Sequence, residues 1–274
     1  NHDFGQDSEA GDRSQLELPA KEEKLILKTA AKNPNTIVVL INGSPIAMDN
    51  WLDSVPAVLE GWFPGMHGGD ALAAALFGDI NPSGKLPITF PKKLSDCPAH
   101  QSKRTYPGEG EIHKENFMLD VFSRRPMERI LAESKVYYDE KIFVGYRWFE
   151  KKDIEPLFPL GFGLSYTTFD YVSCGLSQSE VKVDGVVNVK VAIKNSGQRS
   201  GAEVIQVYYT ELKPTVERPI KELCGFEKVM IEAGETKTVE IPIKIADFAF
   251  YDVLTHDWKI NPGEYVVHVG SSSQ

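Results

Sequence analysis

From Lys21 to Ala31, KEEKLILKTAA places Leu25, Ile26 and Thr29 on one face between charged positions, the period of an amphipathic helix. Asn33-Pro34-Asn35 ends it. Thr36 to Asn42, TIVVLIN, is apolar and β-branched without alternation, which predicts a strand covered on both faces in a parallel sheet. Gly43-Ser44-Pro45 ends that strand. A second short apolar run, Val55 to Trp62, closes at Pro64-Gly65, and GGDALAAALF from Gly68 to Phe77 has the Ala and Leu content of a buried helix. Turn residues then flank a short strand expected at Leu86 to Phe90, closing the sheet. Alternating helices and strands read as open α/β.

Asp96 to Glu140 breaks the pattern. It is polar and Pro/Gly-punctuated at first, and then carries a helical stretch from Pro126 to Lys135. An insert of this length inside a domain is read as a lid or as a segment without fixed structure. Beyond Pro159 the texture changes again, because GFGLSY breaks regular structure and period-2 segments follow. Val186 to Ile193, Glu203 to Tyr209, Thr238 to Ile243 and Gly263 to Val269 alternate or nearly so between N-S-G, K-P, A-G-E and N-P-G turn signals. Strands at that spacing without helices between them predict a β-sandwich. Its Tyr208, Tyr209, Phe226, Phe248, Phe250, Tyr251 and Trp258 are expected in the core or at interfaces rather than as a sugar platform. The fold class is therefore α/β followed by all-β, with one domain over 1–164 containing the insert near 96–140, and a second over 165–274.

The net charge of -9 supplies no basic face for phosphate backbones, so nucleic acid is excluded as the expected partner and a neutral ligand fits better. No apolar run reaches the length of a membrane span, and no membrane partner is expected. Residues 1–13, NHDFGQDSEAGDR, do not resemble a signal peptide and read as a loop cut from something longer. Cys97, Cys174 and Cys224 form no C-x-x-C pair, and the six histidines show no H-x-x-x-H or H-E-x-x-H spacing. No catalytic metal and no cofactor are expected.

In open α/β sheets, ligands bind beyond the carboxyl ends of the strands. That singles out the loops at Ser44 and Pro64-Gly65, and residues 1–13 if a strand precedes them. Across nearly the whole chain, ordered segments resemble the second and third domains of family 3 glycoside hydrolases, the β-glucosidase and β-xylosidase family. HDFGQDSEAGDRSQLELP is similar to the family's active-site loop, S-E-G-x-D-R followed by L-x-L-P. NTIVVLINGSPIAMDNW, GWFPGMHGGDALAAALFGDINPSGKLPITFP and KIFVGYRWF continue the match. PLFPLGFGLSYTTFDY resembles the segment joining the α/β domain to a fibronectin type III-like domain, whose pattern returns in KNSGQRSGAEVIQVYY and RPIKELCGFEKVMIEAGE. The resemblance implies a partial α/β/α sandwich with a mostly parallel sheet, joined to a fibronectin type III-like β-sandwich.

It also implies retaining, exo-acting hydrolysis of terminal β-glucosyl residues. That chemistry needs two carboxyl groups flanking the glycosidic oxygen. Glu9 matches the family's acid/base, with Asp7 as competitor and Asp3 behind it. Asp12 and Arg13 would hold the loop. Ala10 stands where the family commonly has Gly. The family's nucleophile is an aspartate of an amino-terminal barrel absent from these residues, so the chain alone is expected to be inactive. The implied partners are a β-linked glucoside or oligosaccharide and that barrel, on the same precursor or another chain; homo-oligomerisation is left open. The compartment stays open too, with a secreted or periplasmic one preferred. The alternatives are a xyloside- or arabinoside-cleaving enzyme of the same family, and a non-catalytic carbohydrate-binding or assembly module.

Overall fold

The structure is a computed structural model that describes residues 15–106, 108–110 and 134–274. The chain divides into two compact units, one of residues 1–72 and 90–158, the other of 73–89 and 159–274.

In the first unit, helix α1 spans Ala20–Ala30, with Glu22 and Glu23 in its first turn and Lys28 in its last, the arrangement that the helix dipole favours. Its inward residues are Glu23, Ile26 and Ala30. Leu25, expected on the buried face, is exposed, and the Thr29 hydroxyl donates back to the Leu25 carbonyl at 2.8 Å. After the helix, the Asn33 side chain accepts from Asn35 N–H at 3.0 Å, a local turn that releases the chain into strand β1, Ile37–Leu40. Strand β2, Ala57–Glu60, lies parallel to β1 with Leu40 opposite Glu60.

Val38 and Leu40 are buried, whereas Ile37 and Ile41 are 48% and 49% exposed. Covering of β1 on both faces is thus not met among the described residues. Leu16, Ile46, Ala47, Met48 and Trp51 are buried as well, and Glu17 forms a parallel bridge with Ala47. Helix α2, Gly68–Phe77, follows where expected, and the division between the units falls inside it.

The strand expected at Leu86–Phe90 does not form. Phe90 makes only an isolated antiparallel bridge with Phe158, and Pro87 lacks the N–H that a ladder needs. The helix expected over Pro126–Lys135 falls outside the described residues up to 133. Its last two positions, Ser134–Lys135, instead form strand β4, antiparallel to β3 at Glu109–Gly110. Helix α3, Tyr146–Lys151, buries Trp148 and Phe149 against Phe143 and Ile154, and the Trp148 indole donates to the Asp96 carbonyl at 3.0 Å.

The second unit holds the sandwich. One sheet is ordered β5 (Phe169–Leu176), β6 (Val186–Asn195), β9 (Thr236–Lys244), and the other β12 (Tyr265–Gly270), β7 (Gly201–Glu211), β8 (Glu222–Ile231). A hairpin of β10 (Phe250–Asp252) and β11 (Asp257–Lys259) completes it. Strand β6 alternates strictly, turning Val187, Val189, Val191 and Ile193 onto Ile205, Val207, Ile231, Ile241 and Ile243. Fully burying each such side chain stabilises by about 1.5–3 kcal/mol.

Strand β7 is buried on both faces. Its Gln206 donates to the carbonyls of Gly161 at 3.2 Å and Ser271 at 2.7 Å, and Tyr208 donates to Gln206 at 2.7 Å. Gly161 has φ +79°, and a Cβ there would lie 2.1 Å from Gln206 Oε1, so only glycine fits. Residues 159–163 pair with 85–86 through Leu86 N–H to Phe162 O and Gly161 N–H to Leu86 O, both 2.8 Å. Lys85 then reaches Glu203 at 3.0 Å and the Gly163 carbonyl at 3.0 Å. Of the aromatic residues expected in the core or at interfaces, Tyr208, Tyr209 and Phe248 are buried, and Phe226, Tyr251 and Trp258 are exposed. Tyr251 and Trp258 face one another across the hairpin, edge to face at 5.7 Å.

The cysteines are free thiols in three different settings. Burial pushes the Cys97 thiol up to about 11 and Cys224 to about 12, while Cys174 is exposed. Thiolate is the reactive form, so at pH 8 Cys97 should react with iodoacetamide about a hundredfold more slowly than an ordinary thiol. Mass spectrometry of tryptic peptides is expected to show labelled Cys174 with Cys97 and Cys224 protected. Equal labelling of all three would contradict their placement.

Candidate active site

The carboxyl ends of β1 and β2 lie side by side because the strands are parallel and in register, with Gly61 N–H bonded to the Leu40 carbonyl at 2.9 Å. Two polar side chains close these ends. Asn42, two residues past β1, is only 6% exposed and donates to the Ser44 carbonyl at 2.6 Å. Glu60, the last residue of β2, accepts from Trp62 N–H at 3.0 Å through Oε1. Burial pushes the Glu60 carboxyl above its ordinary value, against the opposing hydrogen bonds of Trp62 N–H and the Asn42 side chain. Two buried oxygens, Glu60 Oε2 and Asn42 Oδ1, have no hydrogen-bond partner among the described residues.

The two turns interlock. Trp62 holds φ +49°, rare for a bulky residue, with its ring edge-on to Phe90 at 5.9 Å. A Cβ at Gly43 would meet the Phe63 ring at 2.6 Å, so the first turn needs glycine for the second to approach. Past Ser44 the chain runs into the buried Ile46–Ala47–Met48 segment. There Ala47 N–H donates to the Leu16 carbonyl at 2.9 Å. Leu16 lies three residues after Arg13, so the stretch immediately following the candidate loop is pinned to the segment that leaves the β1 turn.

Glu9, Asp12 and Arg13, with Asp3 and Asp7, lie outside the described residues. Ser44 is half-buried beside Asn42, and Asp49 is exposed. His67 sits on the surface with Asp70 at 3.2 Å. Tyr138 is exposed, and Asp139 lies 3.8 Å from Arg104, whose guanidinium stacks 3.9 Å over Tyr137. Arg147 lies half-buried, 5.9 Å over the Tyr146 ring. The structure thus brings together Asn42 and Glu60, which reading the sequence overlooked. The available signal was a lone polar residue ending each apolar run, TIVVLIN and VPAVLE, at the end of the strand where such sheets bind ligands.

Residues 2–166 match the glycosyl hydrolase family 3 C-terminal domain, and residues 203–273 match a fibronectin type III-like domain. The chain belongs to glycoside hydrolase family 3. The thermostable β-glucosidase B of Acetivibrio thermocellus is 40% identical over 268 residues, covering 98% of this chain and 32% of the relative. A β-glucosidase of Rhizobium radiobacter is 40% identical over 268 residues, with 97% and 30% covered. DesR, a β-glucosidase from Streptomyces venezuelae solved with D-glucose, superposes with a TM-score of 0.83 at 39% identity, covering 97% of this chain and 31% of that one. The chain spans about a third of the length of these family 3 proteins. Its fold is accordingly α/β followed by a fibronectin type III-like sandwich.

Proposed function

We propose that this chain is the acid/base-supplying portion of a retaining, exo-acting β-glucosidase that removes terminal non-reducing β-glucosyl residues. One observation carries the reading. The family 3 match starts at residue 2 and so includes the Q-D-S-E-A-G-D-R loop, in relatives whose names are β-glucosidases. In this mechanism Glu9 protonates the leaving oxygen and then activates water, while a carboxylate outside these residues attacks the anomeric carbon. Asp12 and Arg13 hold the loop by charge-assisted hydrogen bonds. Residues 1–164 act as the α/β domain and 165–274 as the sandwich, and the partner is a barrel domain amino-terminal to both.

With one of two essential carboxyl groups, the 274 residues alone are expected to leave a nitrophenyl β-glucoside intact. Supplying the amino-terminal two thirds of a family 3 relative, fused or as a second chain, is expected to give turnover with retained configuration. Turnover by the 274 residues alone would sink the proposed division of the site.

A further inference from the structure

We propose that the sandwich carries a sugar-binding site of its own, a groove on the outer face of the β5–β6–β9 sheet that takes a neutral saccharide of one or two rings. Every residue of this site lies among those described, and the inference is independent of the assignment of Glu9.

The groove follows from the strands. Side chains alternate across a sheet, and β6 turns Val187, Val189 and Val191 into the core, so Asn188 and Lys190 stand on the opposite face. Lys190 has Glu240 of β9 opposite it on one side and Gly175 of β5 on the other. Gly175 brings no side chain to fill the space, and a Cβ there would meet nothing within 4 Å. The bulge between Tyr171 and Ser173 shifts the register of β5 just before this point, a device that bends a strand and re-aims its side chains. The result is a cavity of about 430 Å³ lined by all three strands, within the range that small-molecule sites occupy.

Its lining suits a polyol. Lys190 Nζ lies 2.8 Å from Glu240, so the groove holds one charge of each sign and no net charge. An anion would meet Glu240 and a cation Lys190, whereas a neutral ligand meets neither penalty. The ammonium keeps donors and the carboxylate keeps acceptors beyond their mutual bond. Asn188 bonds Ser177 through its backbone, donating to Ser177 Oγ at 3.0 Å and accepting from Ser177 N–H at 2.9 Å, which leaves its side-chain amide to the groove. Ser173 adds a hydroxyl. Sugar hydroxyls both give and accept hydrogen bonds, so they need this mixture. Leu176, 46% exposed, supplies an apolar wall for the C–H groups of a ring. A peptide would instead add as a strand at the free edge of β5 and engage its backbone. A site of this kind holds saccharide beside an enzyme without cleaving it and raises its local concentration.

The free thiol of Cys174 lines the same groove and reports on it. The test uses the 274-residue chain and reads no catalysis. At about 50 mM, cellobiose or maltose should slow alkylation of Cys174 by iodoacetamide about tenfold, the factor for a dissociation constant of about 5 mM. N-acetylcysteine in the same solution should react at its usual rate, which separates occupancy of the groove from any effect on the reagent. In Asn188→Ala and in Lys190→Ala, the ratio of the rates without and with sugar should fall below about threefold. Cys174 left unprotected by both sugars overturns the proposal. Equal protection by glycerol at the same hydroxyl concentration overturns it too, as does full protection surviving in both variants.

Discussion

Glu9→Ala, in the enzyme completed with a barrel domain, is expected to lower kcat/KM on an alkyl β-glucoside by about 100- to 10,000-fold, the range of general acid–base catalysis. The loss comes from two steps with one cause. Without a proton donor the leaving oxygen departs as an alkoxide, and without a base the glycosyl-enzyme waits for unassisted water. Azide needs no deprotonation to attack. Added azide should therefore restore turnover of a dinitrophenyl β-glucoside and give a glucosyl azide of retained configuration. Near-normal turnover without azide would move the role to Asp7 or to another acid.

Lys85→Ala is expected to destabilise the second unit by about 3–5 kcal/mol, the cost of breaking a buried ion pair by removing one partner. The side chains of Lys85 and Glu203 are 11% and 6% exposed and lie 3.0 Å apart, with Tyr171 O–H donating to Glu203 at 3.4 Å. Burial pushes the Glu203 carboxyl above its ordinary value, and Lys85 opposes that shift most strongly. Removing Lys85 must raise it further.

A carboxyl raised in the folded state favours folding most fully below its unfolded value, near 4.5, and that stability is lost as pH rises through the folded value. The deficit of Lys85→Ala should thus be larger at pH 7 and shrink toward about pH 4, below the unfolded value, where Glu203 is mostly protonated in both states. Native-state exchange of the Ile205 amide in urea measures it. A deficit equal at both pH values would mean that the lysine acts by packing alone.

The elements that periodicity predicted are those whose environment has a single sign along the chain. Helices α1 and α2 and strands β1, β2, β6, β7, β9 and β12 all form within a few residues of expectation. Strand β8 was not legible. ELCGFEKVMI exposes Phe226, Lys228 and Met230 on one face and Glu227 on the other, so exposure on both faces and a mix of apolar and charged residues hide the alternation. Strand β5 was hidden by its bulge between Tyr171 and Ser173, which shifts the period midway. The Leu86–Phe90 segment failed the other way, because the turn residues flanking it promised a strand that Pro87 prevents.

The candidate loop around Glu9 was singled out only through its resemblance to a family pattern, and it lies outside the described residues. The approach of Asn42 to Glu60 was not legible at all. It depends on the parallel register that sets Leu40 opposite Glu60, and local periodicity carries no information about which strands pair.

The doubly buried strand β7 bears on how such a gene can be rearranged. Its outer covering comes from Gly161 and Ser271, and Glu203 on the same strand is neutralised by Lys85. A sandwich transferred between genes from Ser165 onward would arrive without Lys85 and Gly161. The compact unit is therefore discontinuous in sequence, with residues 73–89 belonging alongside 159–274, and Glu203 pairs with a lysine that sequence reading assigns to a different domain.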